Sequence, residues 1–166
     1  ALDPTELQLP LLPTKLKRAL ANGTYDDFLC SLDMLSGGLV KELEDVPGLA
    51  FAGGSVVGAL TNGEIGDIDI FLICPKDECM RALKGVFAAA QRIHERRNGS
   101  EARLPVTRSK HAVAIFSHPT SSPPVQVILA VYQSTSSRLN DFDVDCCCCA
   151  YVPAEKRVVC TPRCIR

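Results

Sequence analysis

The sequence predicts an α/β (α+β) protein in which helices cover mainly one face of a mixed central sheet of about five or six strands. The first observation is the order of the patterns. Apolar spacing typical of helices alternates with short apolar runs up to residue 98, and strand-like patterns predominate after it. The second is that 46 % of the 166 residues are hydrophobic, which is enough for one domain with its own core.

The N-terminal part predicts an arm followed by one or two helices. Residues 1–20 contain several Pro and Leu residues and form the arm, and residues 21–166 form the domain. Apolar residues then recur at helical spacing after Thr24, a suitable N-cap, until Gly37–Gly38 interrupts them. We expect this helical region to end near Pro47–Gly48.

The next region predicts a strand, a helix, a second strand and a long helix. "GLAFAG" is typical of a short buried strand, and "GSVVGAL" of a helix that begins at Gly54–Ser55. "DIDIFLI" has the period of two that indicates a strand. The long amphipathic pattern "PKDECMRALKGVFAAAQRIHERRN" is closed by Gly99, a residue type that often follows a helix.

The C-terminal part predicts two hairpins with a short helix between them. "KHAVAIFSHPTSSPPVQVILAVY" indicates two strands joined by a Pro/Ser loop, and "STSSRLNDF" a short helix with a serine cap. "DVDCCCCAYVPAEKRVVCTPR" indicates a second hairpin that turns at residues 153–155. "TPRCIR" is typical of the beginning of a further helix, so we expect additional domains in a longer protein.

Composition and charge argue against several classes of protein. The formal net charge of −1 provides no overall attraction for nucleic acid, although a local basic patch is compatible with it. No apolar run reaches the roughly 18 residues of a membrane span. The N-terminal sequence also lacks the basic-then-apolar order of a signal peptide.

The nine cysteines predict an intracellular protein, cytoplasmic or nuclear. Their number is odd and four are consecutive, and neighbours on a strand point to opposite faces, so a regular ladder of disulfides is excluded. We expect reduced, mostly buried thiols that act as small hydrophobic side chains. The pairs Cys160/Cys164 and Cys74/Cys79 lack the spacing and matching histidines of a zinc site, so we expect no structural metal.

Asp67 and Asp69 are the most informative residues of the chain. They are two positions apart on a predicted strand, so both carboxylates project from one face, while Ile68 and Ile70 occupy the other. Two carboxylates this close keep their charges readily only around a cation. Mg²⁺ (or Mn²⁺) is the expected cofactor, because it binds carboxylate oxygens together with substrate phosphates.

A glycine-rich turn upstream is suited to phosphate. Gly53, Gly54 and Ser55 lie between a predicted strand and a predicted helix. Glycines let backbone amides approach a phosphate, and the start of a helix adds partial positive charge. Ser55 can donate its hydroxyl to the same phosphate, although a plain helix cap explains this residue as well.

Gly53–Gly54–Ser55 followed by Asp67–Ile68–Asp69 resembles the signature of nucleotidyltransferases of the DNA polymerase beta superfamily. The resemblance covers residues 49–152 approximately, in motif and in element order, and the segment around Phe142 is similar to head domains of CCA-adding enzymes and poly(A) polymerases. It implies a nucleotidyltransferase fold, divalent metal on Asp67 and Asp69, and an NTP as substrate.

The resemblance also implies a third carboxylate on a neighbouring strand. The matching strand is "VQVIL", where Gln126 occupies the expected position. Glutamine is a neutral oxygen ligand that does not balance the charge of a metal ion. Asp145 or Asp143, predicted to share a face of the next strand, is the expected substitute, and the apolar neighbours of Asp145 favour that residue.

Two cations are further candidates for the site. Lys110 lies just before a strand expected to border the cleft, where it would bind triphosphate, although "TRSKH" also fits a solvated turn. Arg138 in "SSRLND" has the same two interpretations.

Together these residues predict transfer of a nucleoside monophosphate from an NTP to a hydroxyl or phosphate acceptor, with release of pyrophosphate. RNA, protein and small molecules are all open as acceptors. Two alternatives also stay open. One is a weak or inactive module that binds nucleotide or nucleic acid, which Gln126 favours. The other is an interaction domain of a larger protein.

Overall fold

Seven strands form one mixed sheet in the computed structural model, which describes residues 24–115 and 123–165. The strands are β1 (Leu49–Ala52), β2 (Ile68–Ile73), β3 (Val106–Arg108), β4 (Ala112–Ile115), β5 (Val125–Tyr132), β6 (Cys149–Val152) and β7 (Arg157–Cys160). Their order across the sheet is β3-β4-β5-β2-β1-β6-β7. The predicted arm and residues 116–122 of the predicted Pro/Ser loop lie outside the described residues.

The helices follow the predicted order. They are α1 (Tyr25–Leu35), α2 (Leu39–Glu42), α3 (Gly54–Thr61), α4 (Cys79–Asn98), α5 (Thr135–Asn140) and α6 (Pro162–Ile165). Short 3₁₀ turns occupy Asp145–Cys147 and Pro153–Glu155. None of the helices in the described part of the chain has the length and apolar character needed to cross a membrane.

Local sequence explains where the helices begin and end. The Thr24 hydroxyl accepts a hydrogen bond from the Asp27 amide at 3.1 Å and so caps α1. Gly37 and Gly38 have φ angles of 70° and 94°, a region that favours glycine, and they separate α1 from α2. The predicted interruption at these two glycines is therefore confirmed.

The sheet is centred on β2. This strand pairs in parallel with β5 and antiparallel with β1, and β6 and β7 continue the sheet beyond β1 as an antiparallel hairpin. The mixed sheet is confirmed, with one strand more than the largest number predicted. The additional strand is β3, whose three exposed residues carry no alternation of apolar and polar side chains from which it could be predicted.

The two faces of the sheet are covered unequally. Helices α1 to α4 pack on one face and form the large core with alternate residues of the central strands, such as Ile68, Ile70 and Leu72 of β2. The other face carries a small apolar cluster under α5. Its buried members are Ala52, Phe71, Leu139, Ala150 and Val159.

Candidate active site

Two carboxylates lie at the start of the central strand. Asp67 immediately precedes β2, and Asp69 is its second residue. Asp69 is paired with Ala52 of β1 and Gln126 of β5. Because directly paired residues share a face, Asp69 lies on the face of the small cluster, away from the large core. Asp67, two residues earlier, shares that face, as the sequence spacing predicts.

Asp69 sits in an environment that disfavours its charge. Burial, followed by the neighbouring Asp67 carboxylate, raises the pKa of Asp69 to about 6, although Arg138 partly opposes both effects. The pair therefore holds more negative charge than its surroundings neutralise. This is the electrostatic condition under which two carboxylates attract a cation.

Gln126 lies beside both aspartates. It is opposite Asp69 in the register of β5 and β2, and its Nε2 donates to Asp67 Oδ2 at 3.1 Å. The neighbouring strand that the sequence singles out is thus the strand that flanks the pair. In place of a third negative charge, the site has an amide that fixes the orientation of one carboxylate.

The glycine-rich turn is next to the aspartates because β1 runs antiparallel to β2 and ends at Ala52, opposite Asp69. Gly53 has a φ of 89° and its amide donates to the Cys149 carbonyl at 2.9 Å, so its role is to shape the turn. Gly54 and Ser55 then begin α3, where amides have no partner within the helix.

Ser55 carries an unusual hydroxyl. The residue is only 2 % exposed, and its Oγ has no hydrogen-bond partner among the described residues. An unsatisfied buried hydroxyl costs free energy, which a phosphate oxygen at the start of α3 would recover. By contrast, an added Cβ at Gly54 would meet no atom of the described residues within 4 Å, so the space beside it is open with respect to them.

Arg138 is the one predicted cation that the structure brings to the pair. Its guanidinium carbon lies 4.0 Å from the ring centroid of Phe142, 4.3 Å from that of Phe71 and 5.3 Å from that of Tyr132. Its Nε is buried and has no hydrogen-bond partner among the residues described. The aromatic side chains around it were not predicted from the sequence, although Arg138 and Phe142 are four residues apart.

The predicted strand location of Asp143 and Asp145 is wrong. Both precede β6: Asp143 lies in a bend, and Asp145 begins a 3₁₀ turn. Asp145 is an exposed residue whose carboxylate pairs with Arg163 at 3.1 Å. The alternating pattern of "DVDC" suggested a strand, but the chain enters the sheet only at Cys149.

Lys110 is also not placed with the aspartates. It lies in the exposed turn between β3 and β4, four residues before Ala114. Ala114 is the residue of β4 that aligns with Gln126 and hence with Asp69. Four residues of strand span roughly 13 Å, so Lys110 lies toward the other end of the sheet. The expectation failed because β4 runs antiparallel to β5, so the residues that precede β4 lie at the end of β5 that is farther from Gln126.

The residues present fit a magnesium ion that is shared with a substrate. Mg²⁺ is commonly held by one or two carboxylates plus substrate phosphates and water, and Asp67 and Asp69 supply two carboxylates whose charge is poorly neutralised. Within residues 24–115 and 123–165, no group of three or more His, Cys, Asp or Glu side chains is arranged to hold a metal ion.

Comparison with known families gives a match over most of the chain. The family model described as "Gad2: Gabija anti-defense 2 family protein" matches residues 23–166. No curated protein sequence matches the chain.

Several solved structures of CCA-adding enzymes are similar at low identity. The Thermotoga maritima enzyme complexed with tRNA is 14 % identical, with 82 % of this chain and 32 % of that chain covered and a TM-score of 0.49. A CCA-adding enzyme in apo form I is 14 % identical, with coverages of 90 % and 32 % and a TM-score of 0.49. A complex with CTP is 14 % identical, with coverages of 89 % and 31 % and a TM-score of 0.47. The chain thus spans about a third of the length of these enzymes.

Proposed function

Because the chain belongs to the Gabija anti-defense 2 (Gad2) family, we propose that it counteracts Gabija defense and that it does so as a metal-dependent nucleotidyltransferase. The reaction would move a nucleoside monophosphate from an NTP to a hydroxyl or phosphate acceptor and release pyrophosphate. The observation that carries this proposal is the position of Asp67 and Asp69 beside the start of α3, where the Ser55 hydroxyl has no hydrogen-bond partner in the described part of the chain. Free thiols in the chain suit an intracellular site of action.

The start of α3 would bind the outer phosphates of the NTP. The amides of Gly54 and Ser55 have no partner within the helix, and the helix dipole favours negative charge there. The Ser55 hydroxyl would donate to a phosphate oxygen. These contacts would orient the triphosphate so that its α-phosphate faces the aspartates, and positioning of this kind is a major source of rate in phosphoryl transfer.

Asp67 and Asp69 would hold Mg²⁺ or Mn²⁺, which when bound neutralises charge that develops on the phosphate oxygens. Gln126 would keep the Asp67 carboxylate in one orientation through the 3.1 Å hydrogen bond from its amide. Arg138, held between aromatic rings, would keep a positive charge close to Asp69 without closing the site.

The experiment is incubation of the chain with each α-³²P-labelled NTP and Mg²⁺ or Mn²⁺, with and without the proteins of a Gabija system. Pyrophosphate release reports turnover, and the labelled product identifies the acceptor as protein, RNA or small molecule. We expect Asp67→Asn to lower turnover by about 100-fold or more, because it removes one of the two charges that hold the metal. Ser55→Ala should weaken NTP binding with less effect on the reaction itself.

The matched control is Asp77→Asn, which removes an exposed carboxylate in the turn after β2, beyond the end of the strand opposite to Asp67. It should leave turnover unchanged. Turnover that is the same in Asp67→Asn and the parent chain would exclude the proposed site.

A second function is favoured by Gln126. A site with two carboxylates and a neutral amide could bind a metal-bound nucleotide without transferring it, and would then act against Gabija by binding alone. In that case NTP with Mg²⁺ would raise the unfolding temperature but release no pyrophosphate. Gln126→Glu, which restores a third carboxylate next to Asp69, would then be expected to produce turnover.

A further inference from the structure

Three cysteines lie in contact where β6, β7 and α6 meet. Cys149 and Cys160 are directly opposite each other in the β6–β7 hairpin, and their Sγ atoms are 2.9 Å apart. Cys164, on α6, packs against the buried core cluster that contains both, and its Sγ donates to the Cys146 carbonyl at 3.3 Å. All three are free thiols.

The backbone register makes the first two thiols suitable for a covalent bond. The Thr161 amide donates to the Cys148 carbonyl at 3.0 Å, so Cys148 and Thr161 form a hydrogen-bonded pair. Cys149 and Cys160, one position along, are therefore a non-hydrogen-bonded pair. Side chains approach most closely at such positions in antiparallel sheets, at a Cα separation within the range of disulfides.

Cys164 has the properties expected of the thiol that reacts first with a peroxide. Hydrogen bonds from Cys149 and then from Cys160 lower the pKa of Cys164 to about 4, against the opposing effect of burial. Cys149 and Cys160 are 0 % and 1 % exposed, whereas Cys164 is partly exposed and so is the thiol of the three that a solute can reach. A stabilised thiolate is both the form that attacks peroxides and a good leaving group in exchange.

We propose that Cys149, Cys160 and Cys164 form an oxidisable site in which a hydroperoxide is reduced and a disulfide forms between Cys149 and Cys160. The Cys164 thiolate attacks the peroxide oxygen, the O–O bond breaks, and the released hydroxide or alkoxide takes up a proton. The Cys160 sulfur then attacks the resulting sulfenic acid, and water leaves as the Cys160–Cys164 bond forms. Finally the Cys149 sulfur attacks Cys160, and the Cys164 thiolate is released.

The sequence allows a direct test by peptide mapping. Trypsin cleavage after Arg138, Lys156, Arg157 and Arg163 places the three cysteines in three different peptides, namely 139–156, 158–163 and 164–166. The fully reduced chain is treated with a small excess of hydrogen peroxide, its remaining thiols are alkylated, and it is digested without reduction. We expect a cross-link between the first two peptides, with Cys164 recovered as a free thiol.

Variants separate the roles of the three residues. Cys164→Ser should slow cross-linking by about 30-fold or more, because an ordinary thiol is only about 3 % ionised at pH 7, and hydrogen bonding within the cluster together with burial raises the pKa of Cys149 and of Cys160 above the ordinary value. Cys149→Ala should leave the Cys160–Cys164 bond as the product, which also shows that Cys149 and none of its three preceding cysteines forms the final bond. Cys30→Ser, which removes an exposed thiol of α1, is the matched control and should not change the rate.

Three results would overturn the proposal. The first is that peroxide oxidises Cys30 while all three clustered thiols stay reduced. The second is that cross-links form only between chains. The third is that the reduced chain contains about one zinc ion per molecule by elemental analysis and loses it on Cys164→Ser, since the cluster would then be a metal site.

Discussion

Asp69 shows, at the scale of one residue, that the carboxylates of the candidate site lower the stability of the folded protein. Burial and the Asp67 carboxylate raise its pKa to about 6, so the folded protein binds a proton at Asp69 more tightly than the unfolded chain does. Protonation then favours the folded state below the unfolded pKa of about 4. This contribution is lost as the pH rises through about 6, and the ionised pair destabilises the metal-free protein at neutral pH.

We therefore expect Asp69→Asn to stabilise the metal-free chain at pH 7.5. Two pKa units correspond to about 2.7 kcal/mol, and partial exposure of Asp69 reduces the expected gain to about 1–2 kcal/mol, or roughly 2–8 °C in unfolding temperature. The measurement is thermal unfolding at pH 4 and pH 7.5 in the presence of a chelator. The difference between variant and parent should shrink toward zero at pH 4.

Magnesium provides the internal control for this prediction. Added Mg²⁺ should raise the unfolding temperature of the parent chain, because the ion relieves the repulsion between Asp67 and Asp69. It should have little effect on Asp69→Asn. A variant less stable than the parent at pH 7.5 would show that Asp69 is already neutralised by a partner, and would argue against an ion-binding role for the pair.

At the scale of elements, periodicity was sufficient where one face of an element is buried. The period of two around Asp69 identified β2, and the apolar stripe closed by Gly99 identified α4. The serine cap before α5 was also predicted, and the Ser134 hydroxyl accepts a hydrogen bond from the Ser137 amide at 3.1 Å. In each case a few neighbouring residues are enough to indicate the structure, because burial of one face and helix capping are local requirements.

Prediction failed where the structure depends on partners distant in sequence. Asp145 lies in a 3₁₀ turn before the sheet begins at Cys149, and its carboxylate pairs there with Arg163, eighteen residues further on. Lys110 could not be placed from its neighbours, because the antiparallel pairing of β4 with β5 decides at which end of the sheet it lies. The aromatic contacts of Arg138 are likewise a property of the assembled face.

Helix α3 allows a prediction at this scale, since two of its glycines lie in different surroundings. An added Cβ at Gly58 would lie 2.6 Å from Cγ1 of Ile65, whereas at Gly54 it would meet no described residue within 4 Å. Gly58→Ala should destabilise the chain by about 1–2 kcal/mol despite the better helix propensity of alanine. Gly54→Ala should leave stability unchanged and weaken NTP binding, because its methyl group occupies the space proposed for phosphate.

Thermal unfolding with and without NTP and Mg²⁺ distinguishes the two alanine variants. Gly58→Ala should unfold at a lower temperature yet keep its response to NTP when compared at a temperature where it is folded. If Gly54→Ala responds to NTP as strongly as the parent chain, phosphate does not bind at the start of α3, and the proposed orientation of the nucleotide is wrong.

At the scale of the whole molecule, the large stabilising core lies on one face of the sheet and the candidate site lies at the margin of the other. Four helices and a large core cover one face, while α5 and a five-residue buried cluster cover the other, with Asp67, Asp69 and Gln126 at its margin. Because only α5 and the small cluster cover this face among the described residues, the start of β2 is accessible to a ligand. The free energy contributed by the large core compensates for the unfavourable carboxylate charges at the start of β2. The two faces should therefore respond differently to the same substitution.

Leu72 and Leu139 provide a matched pair for this comparison. Both are buried, at 3 % and 0 % exposure, but Leu72 of β2 packs in the large core and Leu139 of α5 packs in the small cluster. Leu→Ala at a buried position costs about 2–5 kcal/mol, and we expect both variants to lose stability within that range. Only Leu139→Ala should also weaken NTP binding, because Leu139 anchors the helix that carries Arg138.

The measurement is the unfolding temperature together with the affinity for NTP at a temperature where both variants are folded. Equal loss of affinity in the two variants would mean that nucleotide binding depends on overall stability, and that α5 has no separate part in the site.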